Sequence, residues 1–241
     1  MTRSVGLRTR LRVPAFAAGA AVLAAALACT VPGWAGAAPP PACARQPPGP
    51  VGVTLSVDYG HVTFNHQLGQ LQIHRLYLQD GMPSPGVHGM AVGLTRIVAN
   101  VEFQTRVVTV PSGDGRYCAW LTGVDARLRY ADTNVYVDRR YPEGSCEFHS
   151  IADHERQHVV INRATLDRFA PRVRTELEAA VRRINPIVVD RIEQARDFPG
   201  TLLQQELDPV LRAFNQERER VNAKIDTPEN YRRTLTRCTD W

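Results

Sequence analysis

The sequence predicts an α+β fold, an antiparallel sheet of four to six strands followed by a helical half that carries a zincin-like motif helix. Three observations predict it. Apolar residues alternate with polar ones over much of residues 51–138, the period of a half-buried strand. At Gly144 the spacing changes to that of a helix and keeps it nearly to the end. The strand-rich and helix-rich stretches are segregated rather than interleaved, which is the pattern of α+β layering.

The elements follow in order. Val51, Val53, Leu55 and Val57 alternate with small or polar residues, and Leu71, Ile73, Leu76 and Leu78 are read as continuing the strand habit. Asp80 to Gly89 is rich in Gly and Pro and reads as a loop. Residues 91–110 are dense in Val, Ile, Thr and Phe, and residues 117–130 alternate again through Tyr117, Ala119 and Leu121. Asp132-Thr133-Asn134 reads as a turn before a short strand over Asn134 to Asp138. Ser145 is placed to cap a helix whose first turn holds Glu147 and whose apolar positions are Phe148, Ile151, Val159, Leu166 and Phe169. Pro171 is expected to end it and open a second helix to about Ile192, disturbed near Pro186. Asp197-Phe198-Pro199-Gly200 reads as a break before a third helix over roughly 201–224, and Thr227-Pro228-Glu229 as the start of a short fourth.

The N-terminal end reads as an address. Arg3, Arg8, Arg10 and Arg12 precede an apolar, Ala-rich run from Val13 to Ala28, and Ala35-Gly36-Ala37 offers a small-x-small cleavage site. Residues 1–37 are therefore expected to be a signal peptide, with export to the periplasm or the medium. Attachment of lipid at Cys29, after Leu27-Ala28, is the lesser alternative. Residues 38–50 form a proline-rich leader, and residues 51–241 a single domain, mainly β over 51–143 and mainly α over 144–241. The signal holds four basic residues and no acid, so beyond it 25 basic residues face 24 acidic ones and the net charge falls from +5 to +1. That near-neutral balance argues against a nucleic-acid partner, and no membrane span is expected after signal removal. The remaining cysteines, Cys43, Cys118, Cys146 and Cys238, are an even set in an oxidising compartment and read as two disulfides. Three connectivities are open. Cys118–Cys146 is preferred, because it would clamp the helix start to a strand, and Cys43–Cys238 follows by elimination.

The chemistry sits at His154-Glu155-Arg156-Gln157-His158. Four residues advance a helix by about 400° and 6 Å, so both imidazoles leave one face and can reach one metal ion. Glu155, beside the first ligand, is placed to take a proton from metal-bound water. Two His ligands with one further protein ligand would leave an open position, the mark of catalytic rather than structural zinc. The candidate set is thus His154 and His158 for Zn2+ and Glu155 as general base, in a hydrolase acting on a peptide or a peptidoglycan-type substrate. A solvated helix face with a salt-linked Glu155 and Arg156 is the bland alternative. The third ligand is open. The long metzincin pattern is excluded, because its later His and Gly positions are Ala164 and Ile161. Glu176, Glu178 and Glu193 could serve from later helices, but acids at such positions are more often surface residues. Asn162, one turn past His158 on the same face, is read either as supporting the ligands or as merely polar. His61, His66, His74 and His88 are possible in principle, and His149 faces about 140° away.

Cys146-Glu147-Phe148 and the motif that follows, after a strand-rich half containing Gly93-Leu94-Thr95, resemble the bacterial predicted secreted zinc-dependent proteases over about residues 90–232. The resemblance implies metal binding and a protease class. That family closes on Tyr-Asp…Thr-x-His-Gly. Asp226 matches the acid, while the His and Gly are absent from Thr227-Pro228-Glu229-Asn230-Tyr231. Asp226 to Glu229 also reads simply as a helix start with Thr227 as its cap. A degenerate, non-catalytic metal-binding envelope protein without a competent third ligand is the alternative to the peptidase.

Overall fold

The computed structural model describes residue 43 and residues 49–80 and 90–241. The expected signal, the Cys29 alternative and most of the leader and of the 80–89 loop lie outside these. The strands are β1 (Gly52–Asp58), β2 (Val62–Asn65), β3 (Gly93–Pro111), β4 (Tyr117–Val137) and β5 (Ile187–Val189). The helices are α1 (Gln70–Gln79), α2 (Cys146–Ile184), α3 (Gln194–Asn222) and α4 (Pro228–Leu235). No helix among the described residues is long and apolar enough to cross a membrane.

The sheet is mixed, which corrects the antiparallel expectation. β4 is its axis. β3 pairs antiparallel along one edge, through a hairpin closed by Ser112 N–H donating to Arg116 O at 2.8 Å. Along the other edge three short strands stand end to end. β5 is antiparallel against 117–119, and β1 and β2 are parallel against 123–129 and 133–136. β1 and β2 pair parallel because the chain next crosses in α1 and returns in β3, which takes the far edge. In the gap between β5 and β1, the Asn185 side chain supplies the missing ladder. Its Oδ1 accepts from Leu121 N at 2.9 Å and its Nδ2 donates to Leu121 O at 3.2 Å.

β4 also runs through Asp132-Thr133-Asn134, where a turn was expected. The register slips between Ile97 and Ala99 and again between Arg106 and Val107. Each slip flips which face later residues meet, so the buried set runs Leu121, then Val124, Ala126, Leu128 and Tyr130, then Val135 and Val137. A strand that changes phase reads in sequence as two strands and a turn.

The core forms between this face and the helices. Leu121, Val124, Ala126, Leu128 and Tyr130 meet Leu166, Val173, Leu177 and Val181 of α2 and Leu203, Leu207, Val210 and Phe214 of α3. That stripe explains why α2 does not end at Pro171. Pro171 and Asp167, the residue whose carbonyl it cannot pair, are both exposed, while Leu166 and Val173 on either side stay in the core. α3 likewise continues through Pro199 and Pro209, removing the break expected at 197–200. Residues 71–78, read as strand-like, are helical because Ile73, Leu76 and Tyr77 share one helical face and pack on Ala91 and Leu94. The expected caps are in place: Ser145 Oγ accepts from Phe148 N at 3.1 Å and Thr227 Oγ1 from Asn230 N at 3.2 Å.

Two disulfides are present, paired Cys43–Cys118 and Cys146–Cys238. The preferred Cys118–Cys146 pairing is excluded by β4 itself. Cys118 lies at its first turn of pleat and Cys146 follows its far end, roughly 60 Å away along an extended strand. Their Cα atoms would need to be within about 7 Å.

Candidate metal and catalytic site

The site is built where α2 passes under the start of β3. His154, Glu155 and His158 are all buried, on the face of α2 turned to the sheet edge and to the C-terminal segment. His154 Nε2 lies 3.2 Å and His158 Nε2 3.1 Å from one atom, Asp226 Oδ1. Asp226 lies in the turn joining α3 to α4. It was the acid noted in the resemblance and otherwise read as part of a helix start; Thr227, the next residue, caps α4.

These three residues are the described His/Asp/Glu cluster whose donor atoms lie within 4.8 Å of one another. The other grouping, Cys146, Glu147 and Cys238, contains a disulfide and offers no thiolate. A tetrahedral ion with bonds of about 2.0–2.1 Å holds its donor atoms about 3.3 Å apart. The two separations from Asp226 Oδ1 are close to that value, and the chemistry of the three donors suits such an ion. Neither Glu176, Glu178 nor Glu193 joins the cluster, and Glu178 instead faces Arg174 at 3.8 Å. His66 contacts the Tyr141 carbonyl oxygen at 2.7 Å. His61, His74 and His149 also stand outside the cluster, and His88 lies outside the described residues.

Glu155 is held by β3. Thr95 Oγ1 lies 2.7 Å from Glu155 Oε2 and 3.0 Å from the Glu155 carbonyl oxygen, within reach of one hydroxyl proton. Gly93 makes the approach possible: a Cβ there would stand 2.5 Å from Glu155 Oε1 and 2.7 Å from Ile151 Cγ2. Burial pushes the Glu155 carboxyl up, against the pull of His158 and His154. Asp226 goes the other way. Its burial would raise it, but hydrogen bonds and charge from both imidazoles hold it well below the usual carboxylate range. His158 is lowered by burial but raised more by Asp226, Glu155 and Asn222, and ends at about 9.

Outer contacts complete the site. Tyr231 of α4 donates its hydroxyl to Asp226 Oδ1 at 3.0 Å, and its ring lies 5.3 Å from that of His154. His158 Nδ1 lies 2.7 Å from Asn222 Oδ1. Asn222 Nδ2 donates to Asn162 Oδ1 at 3.1 Å, and Asn162 Nδ2 to the His158 carbonyl oxygen at 2.7 Å. Asn162 thus bridges the His158 main chain and the Asn222 side chain. Thr95 and Tyr231 stand in segments compared with the protease family but have no role in that comparison, Asn222 carries no local signal, and only the fold brings the three here. A groove of about 420 Å³ lined by Phe64, His66, Glu143 and Phe148 runs along β2 and shares no residue with the donor cluster.

Comparison with protein-family models, curated proteins and solved structures gives no match.

Proposed function

We propose that this chain is an exported zinc-dependent hydrolase, a peptidase acting on peptide or peptidoglycan-type amides. The observation that carries the reading is the convergence of His154 Nε2 and His158 Nε2 on Asp226 Oδ1 at 3.2 and 3.1 Å, with Glu155 buried beside them. Asp226 supplies the third donor that the degenerate alternative lacks. The two disulfides are in keeping with an oxidising compartment.

Zinc, when bound, would lower the pKa of its water and polarise the scissile carbonyl. The chain's own residues do the rest. His154, His158 and Asp226 are the ligands. Thr95 pins Glu155 Oε2, so Oε1 is the oxygen left to accept the proton and return it to the leaving amine. Burial of Glu155 keeps that proton from exchanging freely with solvent.

The test is metal analysis of protein purified with its disulfides intact, followed by turnover of a mixed peptide library and of peptidoglycan fragments. One zinc per chain and hydrolysis that falls about 100-fold or more in Glu155→Gln, with zinc retained, is expected. Wild-type protein that takes up no zinc defeats the reading. Zinc without turnover on either substrate set favours the non-catalytic alternative.

A further inference from the structure

The polar contacts behind His158 have a direction that can be read without seeing hydrogens. The His158 carbonyl oxygen can only accept, so the Asn162 atom 2.7 Å from it is the donor Nδ2. Asn162 Oδ1 is then the acceptor that faces Asn222, at 3.1 Å. The Arg218 carbonyl oxygen, 2.7 Å from the same Asn222 nitrogen, can also only accept. Both neighbours therefore require Asn222 to present Nδ2 to them, which leaves Oδ1 toward His158. That oxygen has no proton to give. His158 Nδ1, 2.7 Å away, must carry one, or two lone pairs would face each other at hydrogen-bond distance.

We propose that Asn222 is a positioning residue that fixes the proton of His158 on Nδ1, so that Nε2 is the atom offered to the donor cluster. The inference rests on reading His154, His158 and Asp226 as a metal site. Asn222 stands at the end of α3, so the ligand is referenced to a second helix rather than to its own alone. The α2 main chain beneath is held separately, by the buried Tyr130 hydroxyl donating to the Asn162 main-chain carbonyl oxygen at 2.9 Å. His154 has no such partner: its Nδ1 is buried and without a hydrogen bond among the described residues. The two imidazoles are thus unequal. His158 is preset, and His154 takes its orientation from Asp226 and from the Tyr231 ring beside it. With a metal bound, Nε2 of His158 would be its donor atom and Nδ1 would keep its hydrogen bond to Asn222. An outer hydrogen bond of this kind fixes tautomer and ring orientation and is worth about 10–100-fold in metal affinity.

The experiment uses full-length disulfide-bonded protein with ¹⁵N-labelled histidine, observed metal-free and with one equivalent of Zn2+. A slowly exchanging proton on His158 Nδ1 is expected in both states, with the metal-induced shift on Nε2. In Asn222→Leu that proton should exchange freely and zinc should bind about 10–100-fold more weakly, with the His154 resonances little changed. Metal on His158 Nδ1, or an affinity in folded Asn222→Leu equal to wild type, overturns the proposal. A misfolded variant does not blunt the test, because the wild-type spectrum alone decides the tautomer. If wild type binds no zinc, the metal reading fails, while the metal-free spectrum still decides whether Asn222 holds the proton.

Discussion

Two parts of the molecule meet at the site, and they are held in different ways. α2 brings His154 and His158 on one helical turn, and the same helix is anchored further along by Leu166, Val173 and Leu177 in the main core. The segment from Asp226 through α4 brings Asp226 and Tyr231, yet no residue of α4 is buried. It is tied to α2 by the Cys146–Cys238 bond and by Ser150 Oγ donating to Thr234 O at 3.0 Å. Two of the proposed ligands are therefore held by the core, while the third is only as stable as its tether. Elements with few buried contacts open at lower free energy than the whole molecule.

Single-ligand variants break this comparison most directly. His154→Ala and His158→Ala should lose zinc by more than the roughly 10–100-fold that loss of an outer partner costs. Asp226→Ala should lose less, because a water can enter where the arm withdraws. Competition with a chelator of known affinity measures all three. Zinc affinity in Asp226→Ala indistinguishable from wild type would remove Asp226 from the ligand set.

The disulfides sharpen it next. They close loops of 92 and 75 residues, and each is worth about 4–5 kcal/mol in the chain-entropy model. Removing either pair as Ser should cost similar global stability in denaturant unfolding. Only removal of Cys146 and Cys238 should also weaken zinc binding, since only that bond holds the arm carrying Asp226. Equal zinc affinity in both double variants would show that the arm is held by its other contacts.

What could be read from the sequence divides along the same line. His154, Glu155 and His158 fall within five consecutive residues of one helix, so a spacing argument reaches them, and Ser145 and Thr227 announce their helices by local chemistry. Asp226 lies 68 residues beyond His158 in the chain, and its neighbours spell a helix start equally well. Asn222 and Thr95 are ordinary polar residues until α3 and β3 are laid against α2. The sheet was misread for a related reason. Parallel pairing of β1 with β4 is decided by where β3 docks, and the phase slips in β4 disguise one 21-residue strand as shorter ones. The disulfides failed the same way, since even a correct count leaves the pairing to the length of β4.

A third prediction uses pH to separate the arm's two states. In metal-free protein His158 is raised from 6.5 to about 9, with Asp226 as its partner. A group raised on folding stabilises fully below its unfolded value and loses that contribution as pH climbs through the folded one. The contribution, at most about 3 kcal/mol, should therefore be present below about pH 6.5 and gone above about 9. Asp226, depressed on folding, adds a loss only when pH falls below about 4. Zinc affinity should run opposite, weakening as pH falls from 9 toward 6, because the ligands must shed their protons. Metal-free unfolding free energies that stay flat between pH 6 and 10 would mean the His158–Asp226 contact contributes nothing.

The smallest effect tests the side of the site opposite the arm. Gly93 is the residue of β3 that lies against Glu155, and an added Cβ would stand 2.5 Å from Oε1 and 2.7 Å from Ile151 Cγ2. Ile151 is buried, packed with Val137, Tyr141 and Ala152, so it cannot simply swing away. Glu155 can move only by leaving Thr95, which holds its other oxygen at 2.7 Å. Gly93→Ala should thus cost about 1–3 kcal/mol, the usual range for forcing atoms into a packed site. It should leave zinc affinity nearly unchanged, because no ligand touches Gly93, while turnover falls as the base is displaced. Thr95→Val provides the partner measurement, releasing Oε2 without crowding Oε1. If both variants unbind zinc as readily as Asp226→Ala, the division between base and ligands is wrong. If Gly93→Ala costs no stability, β3 stands further from α2 than its contact with Glu155 requires.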